Sequence, residues 1–256
     1  MKRFGIRKRF KRKKSILKNR FFWLSFFILI LVFGLSYLFI FSQVFRIEEI
    51  KISNTDDSLR LKVEEVIKNE IGKNIFLVNL NEMNKEILSQ FPEITQLNLK
   101  RKLPRIISIQ IETREPAGIW CYQSYDKCFF INKEGIIFKE IGEESMEGKI
   151  IILSLKEGEI FTLGEEILVP QIVELILEIE KELGENLKIE IEDFTIVSEK
   201  RLNVKTKENW GIYFNLEKDI ELELTKLKVL LEKEIPPEER RNLKYIDLRF
   251  EKIFYK

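Results

Sequence analysis

Charged and uncharged positions separate sharply at the beginning of this chain. Residues 21–42 carry no charged side chain, whereas residues 1–20 carry eleven Lys or Arg and no acid. At about 1.5 Å per residue, a helix over residues 21–42 is about 33 Å long, enough to cross the hydrocarbon core of a bilayer. The run is longer than the apolar core of a signal peptide and is aromatic at both ends, which favours a transmembrane helix. A buried helix of a soluble protein is the weaker alternative, because such a helix would be expected to carry some polar residues along its length.

Shorter periodic patterns follow between residues 45 and 115. Alternating apolar residues predict a strand over 47–53. Two helical stripes come next and end at Gly72 and Pro92, and two further alternating strands precede Pro116. The predicted order is strand, helix, helix, strand, strand, and a three-stranded sheet with two helices on one face buries all of these stripes together. The helical stripes comprise Leu59, Val63, Val66, Ile67 and Ile71 in the first helix, and Leu80, Met83, Ile87, Leu88 and Phe91 in the second.

The remainder of the chain, residues 117–256, is predicted to be mostly strands with two helices. One helix begins at Pro170, a residue favoured in a first helical turn, and the other runs from Ile220 to the two prolines at 236 and 237. The last predicted strand covers 245–250. Its alternation points Ile246, Leu248 and Phe250 inward and Tyr245, Asp247 and Arg249 outward.

Several short motifs carry a resemblance to a known family. Residues 101–116 read RKLPRIISIQIETREP, residues 72–76 read GKNIF, and residues 245–249 read YIDLR. Together and in this order, behind a single anchor, they resemble the bacterial FtsQ/DivIB cell-division family. Thr113 is a mild departure, since the family's strand most often ends in Glu-Arg-x-Pro.

This resemblance implies an α+β fold in four parts: a basic cytoplasmic tail over 1–20, a transmembrane helix over 21–42, a POTRA domain (βααββ) over 45–115 and a strand-rich domain over 117–256. It also implies a bitopic scaffold that recruits and bridges division proteins at the septum. The expected partners are FtsB- and FtsL-like bitopic proteins, and the POTRA domain is a further contact surface for divisome components. Within the C-terminal region, the candidate partner-binding residues are Tyr245, Asp247, Arg249, Phe254 and Tyr255.

The distribution of charge predicts how the chain is oriented. Residues 1–46 carry twelve bases and no acid, whereas the following 210 residues carry 32 bases and 42 acids. Because Lys and Arg resist translocation, the basic end is expected in the cytoplasm and the acidic remainder outside the plasma membrane. The tail is expected to contact anionic lipid rather than nucleic acid, since outside it no basic patch is interleaved with aromatic residues.

Candidate chemistry is sparse. Cys121 and Cys128 are the only cysteines and lie in the part predicted to be outside the membrane, so a disulfide across a hairpin is favoured over free thiols. The chain has no histidine, which leaves a zinc site short of ligands and removes His-based acid–base mechanisms. Neither a metal, a cofactor nor an enzymatic activity is expected. Two alternatives remain open: a POTRA-bearing outer-membrane transport component and a membrane-anchored cell-wall enzyme.

Overall fold

The computed structural model describes most of the chain and divides it into two compact units. The first unit comprises the described residues up to Ile87 together with Asn98–Gln110, and the second comprises Leu88–Leu97 and Ile111–Lys256. The predicted basic tail lies outside the described residues except for Arg20. The described residues are 20–122, 127–142, 146, 148–155 and 161–256.

The uncharged run at the beginning of the chain forms a continuous helix, α1 (Arg20–Phe41), which is 22 residues long. Every residue of α1 is exposed. Within the described part of the chain, α1 is the one helix long and apolar enough to cross a membrane. The helix predicted over residues 21–42 agrees with α1 to within one residue at each end.

The predicted order strand, helix, helix, strand, strand is confirmed after α1. The three strands form one sheet in the order β1-β3-β2, with β1 parallel to β3 and Ile50 opposite Ile107. Short 3-10 turns follow α1 at Gln43–Phe45 and α2 at Lys68–Glu70. The elements are β1 (Glu49–Ser53), α2 (Asp57–Ile67), α3 (Leu80–Gln90), β2 (Ile94–Lys102) and β3 (Ile106–Thr113).

Local capping explains where these helices begin. Asp56 Oδ1 accepts a hydrogen bond from Leu59 N at 2.7 Å, and Asn79 Oδ1 accepts one from Glu82 N at 3.3 Å, so each side chain satisfies an N–H that the helix leaves unpaired. The predicted extension of the first stripe to Ile71 is wrong. The α-helix ends at Ile67, and the 3-10 turn that follows leaves Ile71 exposed.

The second half of the chain builds a nine-stranded sheet in the order β12-β11-β10-β9-β8-β7-β4-β5-β6. Most neighbours are antiparallel, but β4–β7, β7–β8 and β10–β11 are parallel. The strands are β4 (Gly118–Tyr122), β5 (Lys127–Ile131), β6 (Ile137–Ile141), β7 (Ile151–Ser154), β8 (Ile191–Ser198), β9 (Arg201–Thr206), β10 (Gly211–Asn215), β11 (Tyr245–Asp247) and β12 (Phe254–Tyr255).

Both predicted helices of this region are present, as α4 (Pro170–Lys181) and α5 (Ile220–Lys233). A π-helical turn extends α4 to Asn186, and a four-residue helix, α6 (Pro237–Arg240), was not predicted. The apolar stripes of α4 and α5 share a large core with one face of the sheet. Members of this core include Trp120, Phe194, Trp210 and Phe214, which are almost completely buried.

The two cysteines face each other across the β4–β5 pair, Cys121 opposite Cys128. Their sulfur atoms are bonded in the structure. With Ile119 they form a small apolar cluster separate from the large core. Because side chains alternate along a strand, Cys121 lies on the face opposite to that of the core residue Trp120.

Candidate partner-binding edge

The C-terminal residues form one edge of the nine-stranded sheet. Only Tyr245–Asp247 of the predicted strand 245–250 is extended against a neighbour; the chain then turns and returns as β12. The inward positions Ile246 and Leu248 are buried, as predicted. The prediction that Phe250 points inward is wrong: Phe250 is about half exposed (51%), because it lies in the bend where the chain leaves the sheet.

The terminal strand β12 has one paired side and one open side within the described sheet. Tyr255 lies opposite Ile246, and Lys256 exchanges main-chain hydrogen bonds with Tyr245. Main-chain groups of successive residues point to opposite sides of a strand. The N–H and C=O of Tyr255 therefore face the open side, where a further strand can pair with them.

Asp247 lies on the face opposite the core residue Ile246, as the alternation predicts, but it is not exposed to solvent, because the residue is only 6% exposed. Arg249 compensates its charge with two donated bonds, Nε to Oδ1 at 2.8 Å and Nη2 to Oδ2 at 2.6 Å. Burial disfavours the ionised carboxylate, but the hydrogen bonds and charge of Arg249 outweigh burial and lower the pKa of Asp247. Asp247 thus positions Arg249, and the guanidinium is the more exposed of the two groups.

Two side chains that the sequence did not predict, Tyr213 and Arg201, lie beside Tyr245 and Arg249 on the face opposite α5. Tyr213 stacks on Tyr245 with ring centroids 5.5 Å apart, and the guanidinium of Arg201 lies 4.8 Å from the Tyr213 ring. Arg249 approaches the same ring at 5.7 Å. The alternation of residues 211–215 predicts that Tyr213 lies on the other face of the strand from the buried Ile212 and Phe214. It does not predict that β10 pairs in parallel with β11.

The predicted residues Phe254 and Tyr255 are both exposed but lie on different faces. Phe254 packs edge-on against Phe250, with ring centroids 5.8 Å apart, and pairs with Asp247 on the face opposite α5. Tyr255 lies on the α5 side, where its hydroxyl donates to Glu234 at 3.1 Å. This hydrogen bond raises the pKa of Tyr255. The structure therefore brings the five predicted residues to one edge without placing them on one face.

A buried acid lies beside this edge. Glu223 of α5 is 2% exposed; its Oε2 accepts from Asn215 N at 3.3 Å, and its Oε1 has no partner among the described atoms. Burial raises the pKa of Glu223 to about 6, opposed by the Asn215 hydrogen bond and by Lys218 and Lys226 and assisted by Asp247.

Replacing Glu223 by Gln is expected to stabilise the protein at pH 8 by about 1 kcal/mol, because the variant no longer ionises in a buried site. The pKa of Glu223 is higher in the folded state than its ordinary 4.5, so its contribution to stability is fully present below pH 4.5 and is lost as the pH rises through about 6. Urea unfolding of the full chain in detergent at several pH values measures this. The exposed Glu232→Gln serves as the control, and equal stabilisation of Glu223→Gln at pH 4.5 and pH 8 would contradict the prediction.

The chemistry available at this edge is that of recognition. It offers main-chain donors and acceptors, two exposed phenylalanines, a stacked tyrosine pair and a guanidinium fixed by a buried carboxylate. Across the described residues, no group of three or more His, Cys, Asp or Glu side chains is arranged to hold a metal ion. Main-chain pairing supplies affinity and neighbouring side chains supply selectivity in strand addition.

Comparison with family models assigns both halves of the region after α1. Residues 45–114 match the POTRA domain, FtsQ-type, and residues 118–249 match the cell division protein FtsQ/DivIB C-terminal model. The second match alone covers just over half of the chain. No curated protein matches the chain.

Proposed function

The chain belongs to the FtsQ/DivIB family of cell-division proteins, and on that premise we propose that it is a bitopic membrane scaffold of the divisome. In this proposal α1 anchors the protein, and residues 45–115 and 117–256 form two domains outside the plasma membrane. The scaffold binds FtsB- and FtsL-like bitopic proteins, bridges them to other septal components and performs no catalysis itself. The FtsQ/DivIB C-terminal match favours this function over a transport component or a cell-wall enzyme.

The proposed orientation follows from charge. The basic tail stays in the cytoplasm, because Lys and Arg next to a spanning helix resist translocation. The opposite end of α1 continues into Gln43–Phe45 and then into an acidic remainder. The C-terminal edge consequently faces the same side of the membrane as the outer domains of bitopic partners.

One observation carries the proposed binding mode: among the described strands, β12 has a neighbour on one side only, and it carries exposed aromatic residues. A partner strand pairs with the Tyr255 main chain and places its alternate side chains against Phe254 and Phe250. Arg249 and Tyr245 flank this site on the face opposite α5. An open edge with two phenylalanines about half exposed supports a protein ligand, because partner binding removes this apolar area from water.

Phe254→Glu is expected to weaken binding of a co-purified FtsB/FtsL-like pair at least about tenfold, a loss of about 1.4 kcal/mol. The substitution puts a charge at the apolar centre of the proposed contact and keeps both members of the ion pair of Asp247 and Arg249. Because Phe254 lies opposite Asp247, unfolding curves must accompany the binding measurement. Charge reversal at Arg249 is the poorer test, since it also removes the charged donor that the buried Asp247 needs.

Leu163→Glu is the matched control, because Leu163 is also exposed and precedes Gly164, which pairs with Ile137 at the opposite end of the sheet. Binding is measured with the full chain in detergent, and unfolding curves verify that both variants fold. Equal affinity of Phe254→Glu and the parent chain would reject the edge as the partner site. A fluorescent fusion that stains dividing cells uniformly, without enrichment at the septum, would reject the divisome assignment.

A further inference from the structure

The end of α1 and the loop between α2 and α3 form one hydrogen-bonded junction. The Nδ2 of Asn74 donates to the carbonyl oxygens of Phe39 and Ile40 at 2.8 and 2.9 Å. These carbonyls belong to the last turn of α1, which has no intrahelical partners for them. The Oδ1 of Asn74 accepts from Phe76 N at 2.9 Å, and the residue is only 8% exposed. One buried amide therefore caps the helix and shapes the loop.

Two arginines hold this junction from the other side: Arg101 near the end of β2 and Arg105 in the turn between β2 and β3. Arg101 donates from Nε to the carbonyl oxygen of Ile75 at 2.8 Å and from Nη2 to that of Val78 at 2.7 Å. Arg105 donates from Nε to the carbonyl oxygen of Val44 at 3.3 Å. Hydrogen bonds from charged donors are stronger than those between neutral groups. The loop is therefore held beside the end of α1 by the bonds of both arginines in addition to those of Asn74.

Apolar side chains surround the fixed junction. The ring centroid of Phe45 lies 5.0 Å from that of Phe39 and 5.3 Å from that of Phe76. Beyond these rings, Val44 is 47% exposed and Leu77 is 66% exposed. We call Val44, Phe76 and Leu77 the collar. A cluster of exposed apolar residues on a water-soluble surface is costly, and its position indicates what covers it.

We propose that the collar lies in the outer interfacial region of the same bilayer that α1 crosses, and that Asn74 is the residue that positions it there. The occupant is lipid because the collar is continuous with the lipid-facing surface of α1. A helix of 22 residues reaches the outer end of the hydrocarbon core within its last turn, at about 1.5 Å per residue. Arg46, exposed at the same junction, is suited to the lipid phosphates.

The inference rests on the proposed function in one respect, since it requires α1 to span a membrane. It adds that the first domain is docked on the bilayer rather than suspended from a flexible tether. Surfaces of that domain are consequently presented at a fixed height and orientation above the membrane.

Depth-dependent fluorescence quenching tests the collar in the full chain, reconstituted in phosphatidylglycerol/phosphatidylcholine vesicles with or without brominated acyl chains. Leu77→Trp is introduced in a Trp23→Phe background, and the signal of that background is subtracted. Leu61→Trp is the matched control, because Leu61 is a similarly exposed leucine of the same unit, on α2. The indole introduced by Leu77→Trp is expected to lose at least about three times as large a fraction of its fluorescence as the control, since interfacial aromatic residues lie within reach of the acyl chains.

Adding Asn74→Ser to the Leu77→Trp chain is expected to reduce that quenching at least about twofold. Serine keeps an acceptor for the loop N–H but cannot reach both carbonyls of α1. Equal quenching of Leu77→Trp and Leu61→Trp would overturn the collar, and unchanged quenching after Asn74→Ser would overturn the positioning role. The native Trp23 of α1 tests the membrane span independently of the collar. Quenching of Trp23 by brominated lipid supports the span whatever the result for Leu77→Trp. Absence of this quenching would reject the span and the collar together.

Discussion

Replacing Arg249 by Ala is expected to lower the free energy of unfolding by about 2–3 kcal/mol, because it leaves the buried carboxylate of Asp247 without its charged donor. The two groups are joined by two side-chain hydrogen bonds, and Asp247 is nearly inaccessible to water. Loss of a partner from such a pair costs more than the pair itself contributes. Urea unfolding of the full chain in detergent measures the loss.

A double-mutant cycle isolates the interaction. Asp247→Asn combined with Arg249→Ala is expected to be less destabilising than the sum of the two single changes, since the neutral amide no longer needs a cation. Additive effects would contradict a coupled pair.

The pKa of Asp247 lies below its ordinary 3.8, so the stability it contributes is present above about pH 4 and is lost as the pH falls through the lower, folded-state pKa. Arg249→Ala is expected to remove this acid dependence.

Alternation along the chain predicts the C-terminal edge only as far as the chain stays hydrogen-bonded to β10. Ile246 and Leu248 follow the period of two and are buried, and the N–H of Leu248 still donates to the carbonyl oxygen of Tyr213. Phe250 lies in the bend that follows, where this period no longer applies. Burial of Asp247 also escapes the pattern. A polar residue at an outward position reads as solvated, and its neutralisation by Arg249 depends on a turn that the sequence does not specify.

Contacts between distant segments are the part that sequence alone leaves undetermined. The stack of Tyr213 on Tyr245 depends on parallel pairing of β10 with β11, which are separated by α5 and α6. Asn74 belongs to a motif that supports the family resemblance, but its bond to Phe39 crosses 35 residues of sequence. Periodicity reports which face of an element is apolar; it does not report which other element meets that face.

Reduction of the Cys121–Cys128 disulfide is expected to lower the free energy of unfolding by about 2–3 kcal/mol. The bond closes a short loop of eight residues, and in the chain-entropy model such a closure restricts the unfolded chain by about this amount. Its position strengthens the expectation, because both cysteines are almost completely buried between paired strands. Urea unfolding of the full chain with and without reductant measures the difference.

Cys121→Ala combined with Cys128→Ala is the control for reductant acting elsewhere, since this chain has no other cysteine. Its stability should be the same with and without reductant, and close to that of the reduced parent after allowance for two smaller buried side chains. Alanine is preferred to serine, because a hydroxyl in this apolar cluster would add the cost of burying an unpaired polar group. Two reactive thiols in protein taken from the native envelope, or a change on reduction below about 0.5 kcal/mol, would contradict a stabilising disulfide.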